Sequence, residues 1–182
     1  MRPIFASLFV SGPLVLAACV TPYSSQDLAA TQDLAPLYVR HAMQTQVNPA
    51  IVAIWDVSNN AVDENGGLDP ALMTPASWDA LANGAAALAA ASDRMAAASD
   101  IRAAAVGNLA TDEFEITMDQ VQTYLDADPQ GFRDLSASFA TLARTLESAA
   151  RNRDATNAGE LVAQMDAECT VCHARYWYPE AP

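Results

Sequence analysis

The sequence predicts an all-α protein folded as an antiparallel four-helix bundle. Hydrophobic residues make up 52% of the 182 residues, much of this share is alanine, and there are only 7 glycines. This composition favours helix. Apolar residues recur at helical spacing in four long segments, and no strand pattern of useful length is present. Four long helices with mostly short connections are typical of an antiparallel bundle.

The first predicted helix covers residues 27–58. Pro36 and Pro49 interrupt it, so we expect the helix to begin near Pro36 and to kink at Pro49. Residues 59–74 are rich in asparagine, glycine and acidic residues, but they lack the spacing of an EF-hand loop. They are therefore predicted to be a solvated connection and not a calcium site.

The second predicted helix covers residues 75–106. Thr74 supplies an N-cap hydroxyl, and the proline that follows it suits the first helical position. A Gly–Asn pair at 107–108 is expected to end this helix. Residues 109–116 are irregular and acidic, and residues 117–127 are predicted to form a short helix.

The third long helix is predicted over residues 129–152, because a capping aspartate and a proline stand at 128–129. The fourth helix is predicted to begin at Asp154 or Thr156. It should reach Tyr178, where the next residue is a proline that cannot continue it.

The fourth helix carries the run Cys-Thr-Val-Cys-His at 169–173, which is the C-x-x-C-H attachment signal of a c-type haem. Two thiols can bond covalently to the porphyrin vinyl groups, and the neighbouring imidazole can bind the iron. On a helix, Cys169, Cys172 and His173 fall at about 0°, 300° and 40°, so they share one face. We therefore predict one haem c per chain, attached through both cysteines, with His173 as an axial iron ligand.

Two other interpretations of this motif remain open, a thiol–disulfide redox pair and part of a zinc site. A thioredoxin-like pair is expected near a βαβ pattern, which the sequence lacks. A structural zinc site needs four ligands, and the only further histidine and cysteine are His41 and Cys19.

The charge of the chain argues against a nucleic-acid partner, because the formal net charge is −13 and the nine basic residues are all arginine. An acidic surface suits solubility and docking to a basic redox partner protein. The sequence has no nucleophile–base constellation, no phosphate loop and no Glu-x-x-His pair of a four-helix di-iron site, so we do not expect an enzyme.

Residues 1–19 are predicted to be a bacterial lipoprotein signal peptide. Arg2 precedes an uncharged apolar run that is too short and too interrupted for a transmembrane helix. The run Leu-Ala-Ala-Cys at 16–19 resembles a lipobox, in which Cys19 becomes the lipidated N-terminus. Ordinary signal-peptidase cleavage after the alanines is the alternative. Lipidation of Cys19 and haem attachment at the other two cysteines would leave no free thiol.

Residues 20–30 are then a polar tether, and residues 31–182 are the helical domain. Export agrees with haem attachment, which bacteria carry out outside the cytoplasm. Val20 stands after the lipidated cysteine in place of aspartate, a feature that resembles outer-membrane lipoproteins. We expect a periplasmic protein anchored to the outer membrane through its lipid.

An exported helical domain with C-x-x-C-H on its last helix resembles the class II cytochromes c, which comprise cytochrome c′ and its low-spin relatives. The resemblance covers residues 30–178. Residues 39–45 resemble that family's first helix, in which an arginine precedes a distal-side residue by about one turn. Uncharacterised bacterial members share runs like those at 47–50 and 54–56, an early tryptophan in the second helix like Trp78, and a similar ending. The resemblance implies a four-helix bundle, single-electron transfer and, in some members, a homodimer through the first two helices.

Two features depart from the family. Its members often carry an arginine four residues after the haem histidine, where this chain has Trp177 and places the arginine at position 175. The acidic stretch at 109–127 is also longer than usual. Both features concern the residues that would surround the haem edge.

The resemblance implies that the residue opposite His173 comes from the first helix. Met43 is the predicted distal ligand, because His/Met ligation raises the potential of haem iron into an electron-transfer range. A methionine that fills a gap in the core is the alternative. His41 lies about 200° from Met43 around the helix, so both cannot face the iron, and His41 is expected to face solvent.

Arg40 is predicted to pair with a haem propionate, and Tyr176 and Trp177 are predicted to contact the haem. A surface arginine and ordinary core aromatics are the alternatives, and Trp55 and Trp78 are read as core aromatics. We expect a single-electron carrier. An iron that Met43 does not bind would instead make a five-coordinate site for nitric oxide or carbon monoxide.

Overall fold

A computed structural model of the chain describes residues 35–112 and 115–178, of which about 70% lie in five helices. The prediction of an all-α protein is confirmed. The signal peptide predicted at 1–19, with Cys19, and the tether predicted at 20–30 lie outside the described residues. No helix within the described residues is long and apolar enough to cross a membrane.

Helix α1 has three consecutive segments: an α-helical turn Val39–Ala42, a π-helical segment Met43–Val47 and an α-helical segment Asn48–Asn60. It begins later than predicted, because Leu37–Tyr38 form a short strand, β1, that pairs in parallel with strand β2, Ile101–Arg102.

Directly before Pro49, where a kink is predicted, the helix contains the π-helical segment. Proline has no N–H, and its ring crowds the carbonyl four residues earlier, here Thr45. A wider π turn at Met43–Val47 accommodates this crowding without ending the helix. The helix therefore continues through Pro49 to Asn60.

Helix α2 comprises Pro75–Ala97 and begins at the predicted cap, where the Thr74 hydroxyl accepts a hydrogen bond from the backbone N–H of Ser77 at 3.1 Å. The predicted extension to residue 106 is wrong. The chain becomes extended at Ala98 and crosses the start of α1, where the Asp100 carbonyl accepts from the N–H of Leu37 at 2.8 Å. Burial of Ile101 and pairing with β1 favour this crossing over further helix.

The remaining helices agree with the predictions: α3, Met118–Ala127; α4, Pro129–Arg151; and α5, Ala155–Tyr176. Each begins at a side-chain cap, supplied by Thr117, Asp128 and Asp154 respectively. Helix α4 packs most extensively on α2 and also on α5, and α1 packs on α2. The largest of the fully buried side chains in this shared core are Ile54, Leu81, Leu88, Leu125, Phe132, Leu146 and Met165.

The end of α5 is attached to the start of α4 through Tyr176, which is only 3% exposed. Its hydroxyl donates to the backbone carbonyl of Asp128 at 2.9 Å, and its ring meets Phe132 edge-on with centroids 5.7 Å apart. The Asp128 carboxylate caps α4 by accepting from the N–H of Gly131 at 3.0 Å, and it also pairs with Arg175. One aspartate therefore holds the ends of two helices together.

Asp128→Ala should lower the free energy of unfolding by about 0.5–2 kcal/mol, because the variant loses the N-cap of α4. Urea unfolding followed by circular dichroism measures this change. Asp134→Ala is the matched control, since this exposed carboxylate on the same helix accepts only from the Gln130 side chain. Its effect should stay within about 0.5 kcal/mol. Equal effects of the two variants would contradict the role assigned to Asp128.

Candidate functional site

The cysteines and histidine of the C-x-x-C-H motif lie on the last two turns of α5. Cys169 and Cys172 are half-buried free thiols, and His173 is exposed at the edge of the cavities. Cys172 and His173 both line two neighbouring cavities, and Cys169 lines the first of them. The face of α5 that carries these three residues therefore borders the cavities and not a packed helix interface.

The first cavity has a volume of about 390 Å³ and lies between α1, α4 and α5. Most of its wall is apolar. Helix α2 also contributes one side chain, Met95, to this wall. The main apolar side chains are Val47, Ile51, Met95, Phe132, Leu135 and Phe139. A mostly apolar cavity with a few polar groups is typical of a small-molecule or cofactor site.

The second cavity has a volume of about 320 Å³ and is more polar. It shares five lining residues with the first: Met43, Asn48, Phe132, Cys172 and His173. Its other side chains include Arg40, Glu115, Trp177 and Tyr178. The two cavities are thus neighbours, and the wall that they share contains Met43 from α1 and His173 from α5.

Met43 and His41, the two candidate residues on α1, are separated as predicted. Met43 is half-buried and lines both cavities, at the first position of the π-helical segment. His41 is exposed and lines neither cavity. Among the described residues, Met43 is therefore the sulfur of α1 that shares the cavity wall with His173.

Burial raises the pKa of both Cys169 and Cys172 to about 11. At neutral pH both thiols are protonated, whereas a reactive redox cysteine needs a lowered pKa. Residues three apart on a helix also have their Cβ atoms about 5–6 Å apart, and a disulfide needs about 3.5–4.5 Å. Neither observation suits a thiol–disulfide redox pair in this conformation.

Partial burial lowers the pKa of His173 and so favours the neutral imidazole. The neutral ring is the form that binds a metal ion. The carbonyl of His173 accepts hydrogen bonds from the backbone N–H groups of Trp177 and Tyr178 at 2.8 and 2.7 Å. These two hydrogen bonds cap the C-terminal end of α5. Tyr178 also meets the imidazole edge-on, with ring centroids 6.2 Å apart.

Arg40 holds a buried polar atom without a partner. Its Nη2 lies 3.6 Å from Oε2 of Glu115, and its Nη1 has no hydrogen-bond partner within the described residues. An unsatisfied buried donor is costly, and Arg40 lines the second cavity. A carboxylate is the kind of group that pairs with a guanidinium, so the presence of Arg40 in this wall fits a porphyrin propionate.

The two aromatic residues predicted to contact the haem, Tyr176 and Trp177, line the second cavity, and the Trp177 indole N–H points to Oε1 of Glu115 at 3.4 Å. Trp78 is buried in the core as predicted, away from both cavities. The same prediction for Trp55 is wrong, because this side chain is exposed and lines the first cavity. Arg175, which stands near the family's arginine position, borders neither cavity and pairs with Asp128.

The cavity residues that sequence reasoning missed include Asn48, Glu115, Phe132 and Tyr178. Phe132 falls within the helix predicted at 129–152, where helical spacing indicates burial but does not distinguish a core residue from a cavity wall. Glu115 belongs to the acidic stretch at 109–127, which has no periodicity that would single out one carboxylate. The family's own pattern offered no signal for it, since that stretch is the part that departs from the family.

No group of three or more His, Cys, Asp or Glu side chains converges on a metal position within residues 35–112 and 115–178. The partial zinc site thus gains no support from these residues. Comparisons with protein-family models, with curated proteins and with solved structures found no match.

A chain that lacks its first 19 residues can be produced in the cytoplasm, where both thiols stay free. In this protein, alkylation of Cys169 and Cys172 should be slow at pH 7. The rate should rise about tenfold per pH unit through pH 9, because only the thiolate reacts. Mass spectrometry of iodoacetamide-treated protein measures this, with circular dichroism to confirm the helical fold. In urea, where the chain is unfolded, both thiols should be alkylated at the rate of ordinary cysteine thiols, whose pKa is about 8.5. Fast alkylation of the folded chain at pH 7 would favour the redox-pair interpretation.

Proposed function

We propose that this protein is a class II-type cytochrome c that carries one covalently attached haem and transfers single electrons. The observation that carries the proposal is that Cys169, Cys172 and His173 of α5 line the first cavity together with Met43 of α1. Three residues with distinct roles in haem binding thus border a space that a fourth candidate ligand, from another helix, also lines.

Each group in the two cavities has a role in holding haem c. Cys169 and Cys172 would form the thioether bonds, and His173 in its neutral form would be one axial ligand. Met43 would be the other axial ligand, and Arg40 would pair with a propionate. When bound, haem iron supplies a centre that takes up and releases one electron without any bond to a substrate being made or broken.

The polypeptide contributes a mostly apolar wall. Ile51 on α1 and Phe132 and Phe139 on α4 surround the first cavity with apolar side chains. A low-dielectric wall strengthens the effect of nearby charges on a redox centre. Ligands fixed on helices also move little between oxidation states, so electron transfer costs little reorganisation.

For the fold we propose an antiparallel four-helix bundle made of α1, α2, α4 and α5, with α3 in the connection between the second and third of these helices. The link between α4 and α5 comprises only residues 152–154, and these two helices pack on one another. Short connections between packed helices favour antiparallel neighbours. The haem would then be attached to the last helix of the bundle.

For the location we propose the periplasm, with Cys19 lipidated and the chain anchored to the outer membrane. The support is the lipobox-like run at 16–19 and the agreement of export with c-type haem. The partner would be a basic redox protein, because the chain has a formal net charge of −13. A homodimer through the first two helices is implied by the family resemblance alone.

The visible spectrum of the protein matured in the periplasm tests Met43 as ligand. The reduced wild type should be low-spin and should resist carbon monoxide, and Met43→Ala should become high-spin and bind the gas promptly. Met95→Ala is the matched control, since this methionine lines the first cavity from α2 and should leave the spectrum low-spin. A wild-type spectrum that is high-spin and shifts with carbon monoxide would instead favour the gas-binding function.

His173→Ala should retain part of the covalent haem, because the two thiols remain, but lose the native iron ligation. The oxidised and reduced spectra measure this loss. His41→Ala, in which an exposed histidine of α1 is removed, should leave both spectra unchanged. An unchanged spectrum in His173→Ala would show that the axial assignment is wrong.

A further inference from the structure

The second cavity contains a carboxylate that the haem-binding roles do not use. Glu115 precedes α3, and its two oxygens face three side chains. Oε2 lies 3.6 Å from Nη2 of Arg40, and Oε1 accepts from the Trp177 indole and the Tyr178 hydroxyl, both at 3.4 Å. The side chains of Glu115 and Arg40 are only 17% and 15% exposed.

Glu115 is also fixed from its own side of the chain. The backbone N–H of Asp112 donates to Oε2 at 3.1 Å, and the Glu115 N–H donates to the Asp112 carbonyl at 3.0 Å. The hydrogen bond from Asp112 and the charge of Arg40 lower the pKa of Glu115, so the carboxylate is ionised at neutral pH. The pair of Glu115 and Arg40 is therefore a fixed dipole at the wall of the second cavity.

Contacts lead from this carboxylate to the proposed axial ligand. The Tyr178 hydroxyl is held by Glu115, and the Tyr178 ring meets the His173 imidazole edge-on at 6.2 Å. The other terminal nitrogen of Arg40, Nη1, is buried and has no hydrogen-bond partner among residues 35–112 and 115–178. Glu115 thus contacts both the ring that packs on His173 and the cation that would meet a propionate under the proposed function.

From these contacts we infer that Glu115 is a positioning residue of the haem site, which orients Arg40 and Tyr178 and sets the local field at the iron. The inference rests on the proposed function. Reduction adds one electron to the site, so a nearby negative charge stabilises the oxidised state and a nearby positive charge stabilises the reduced state. The reduction potential should therefore respond in opposite directions to loss of Glu115 and loss of Arg40.

Redox titration of the holoprotein tests this inference. Glu115→Gln leaves the positive charge of Arg40 unbalanced and should raise the reduction potential. Arg40→Met keeps much of the side-chain volume, leaves the negative charge of Glu115 unbalanced and should lower the potential. Asp119→Asn is the matched control, since it removes one acidic charge four residues away and outside both cavities, and it should shift the potential far less.

A second readout does not depend on the iron. In Glu115→Ala the Asp112 amide loses its side-chain acceptor, so hydrogen exchange of residues 103–112 should be faster than in the wild type, as measured by mass spectrometry. Asp119→Asn should exchange in this segment as the wild type does. Equal potential shifts in Glu115→Gln and Asp119→Asn, or unchanged exchange in Glu115→Ala, would overturn the role of Glu115. A wild-type protein without covalent haem would overturn the proposed function itself, and the exchange result would still report whether Glu115 holds the segment.

Discussion

The position of the C-x-x-C-H motif depends on one buried side chain, Tyr176, at the end of α5. Its hydroxyl bonds to the backbone of Asp128 and its ring packs on Phe132, so the last turn of α5 is fixed to the first turn of α4. Phe132 in turn lines both cavities. The contact between Tyr176 and Phe132, which joins the two helix ends, therefore also forms part of the cavity wall that contains Cys172 and His173.

The two cavities differ in the chemistry of their walls, and this difference suits an amphipathic ligand. The first is bordered mainly by apolar side chains, whereas the second contains Arg40, Glu115 and the polar atoms of Trp177 and Tyr178. A porphyrin has an apolar ring and carboxylate side chains at one edge. Under the proposed function, the ring would lie against the first wall and its carboxylates would lie toward Arg40, whose buried Nη1 has no partner in the described part of the chain.

Local sequence signals predicted the helix starts, because the caps at Thr74, Asp128 and Asp154 act within a few residues of themselves. The end of α2 was mispredicted, since it depends on pairing with a segment far away in the sequence. The common face of the C-x-x-C-H residues followed from helical geometry alone. Glu115 and Tyr178 were not predictable, because a loop and the residue after α5 meet only through tertiary packing.

The most direct test of the central claim is the intact mass of the protein purified from a periplasm able to mature c-type haem, measured after denaturation. We expect the mature polypeptide mass increased by that of one haem, since thioether bonds at Cys169 and Cys172 survive unfolding. Loss of the signal peptide and lipidation of Cys19 would change the mass by separate, recognisable amounts. The mass of the polypeptide without haem would contradict the account and leave the two cavities without the ligand proposed for them.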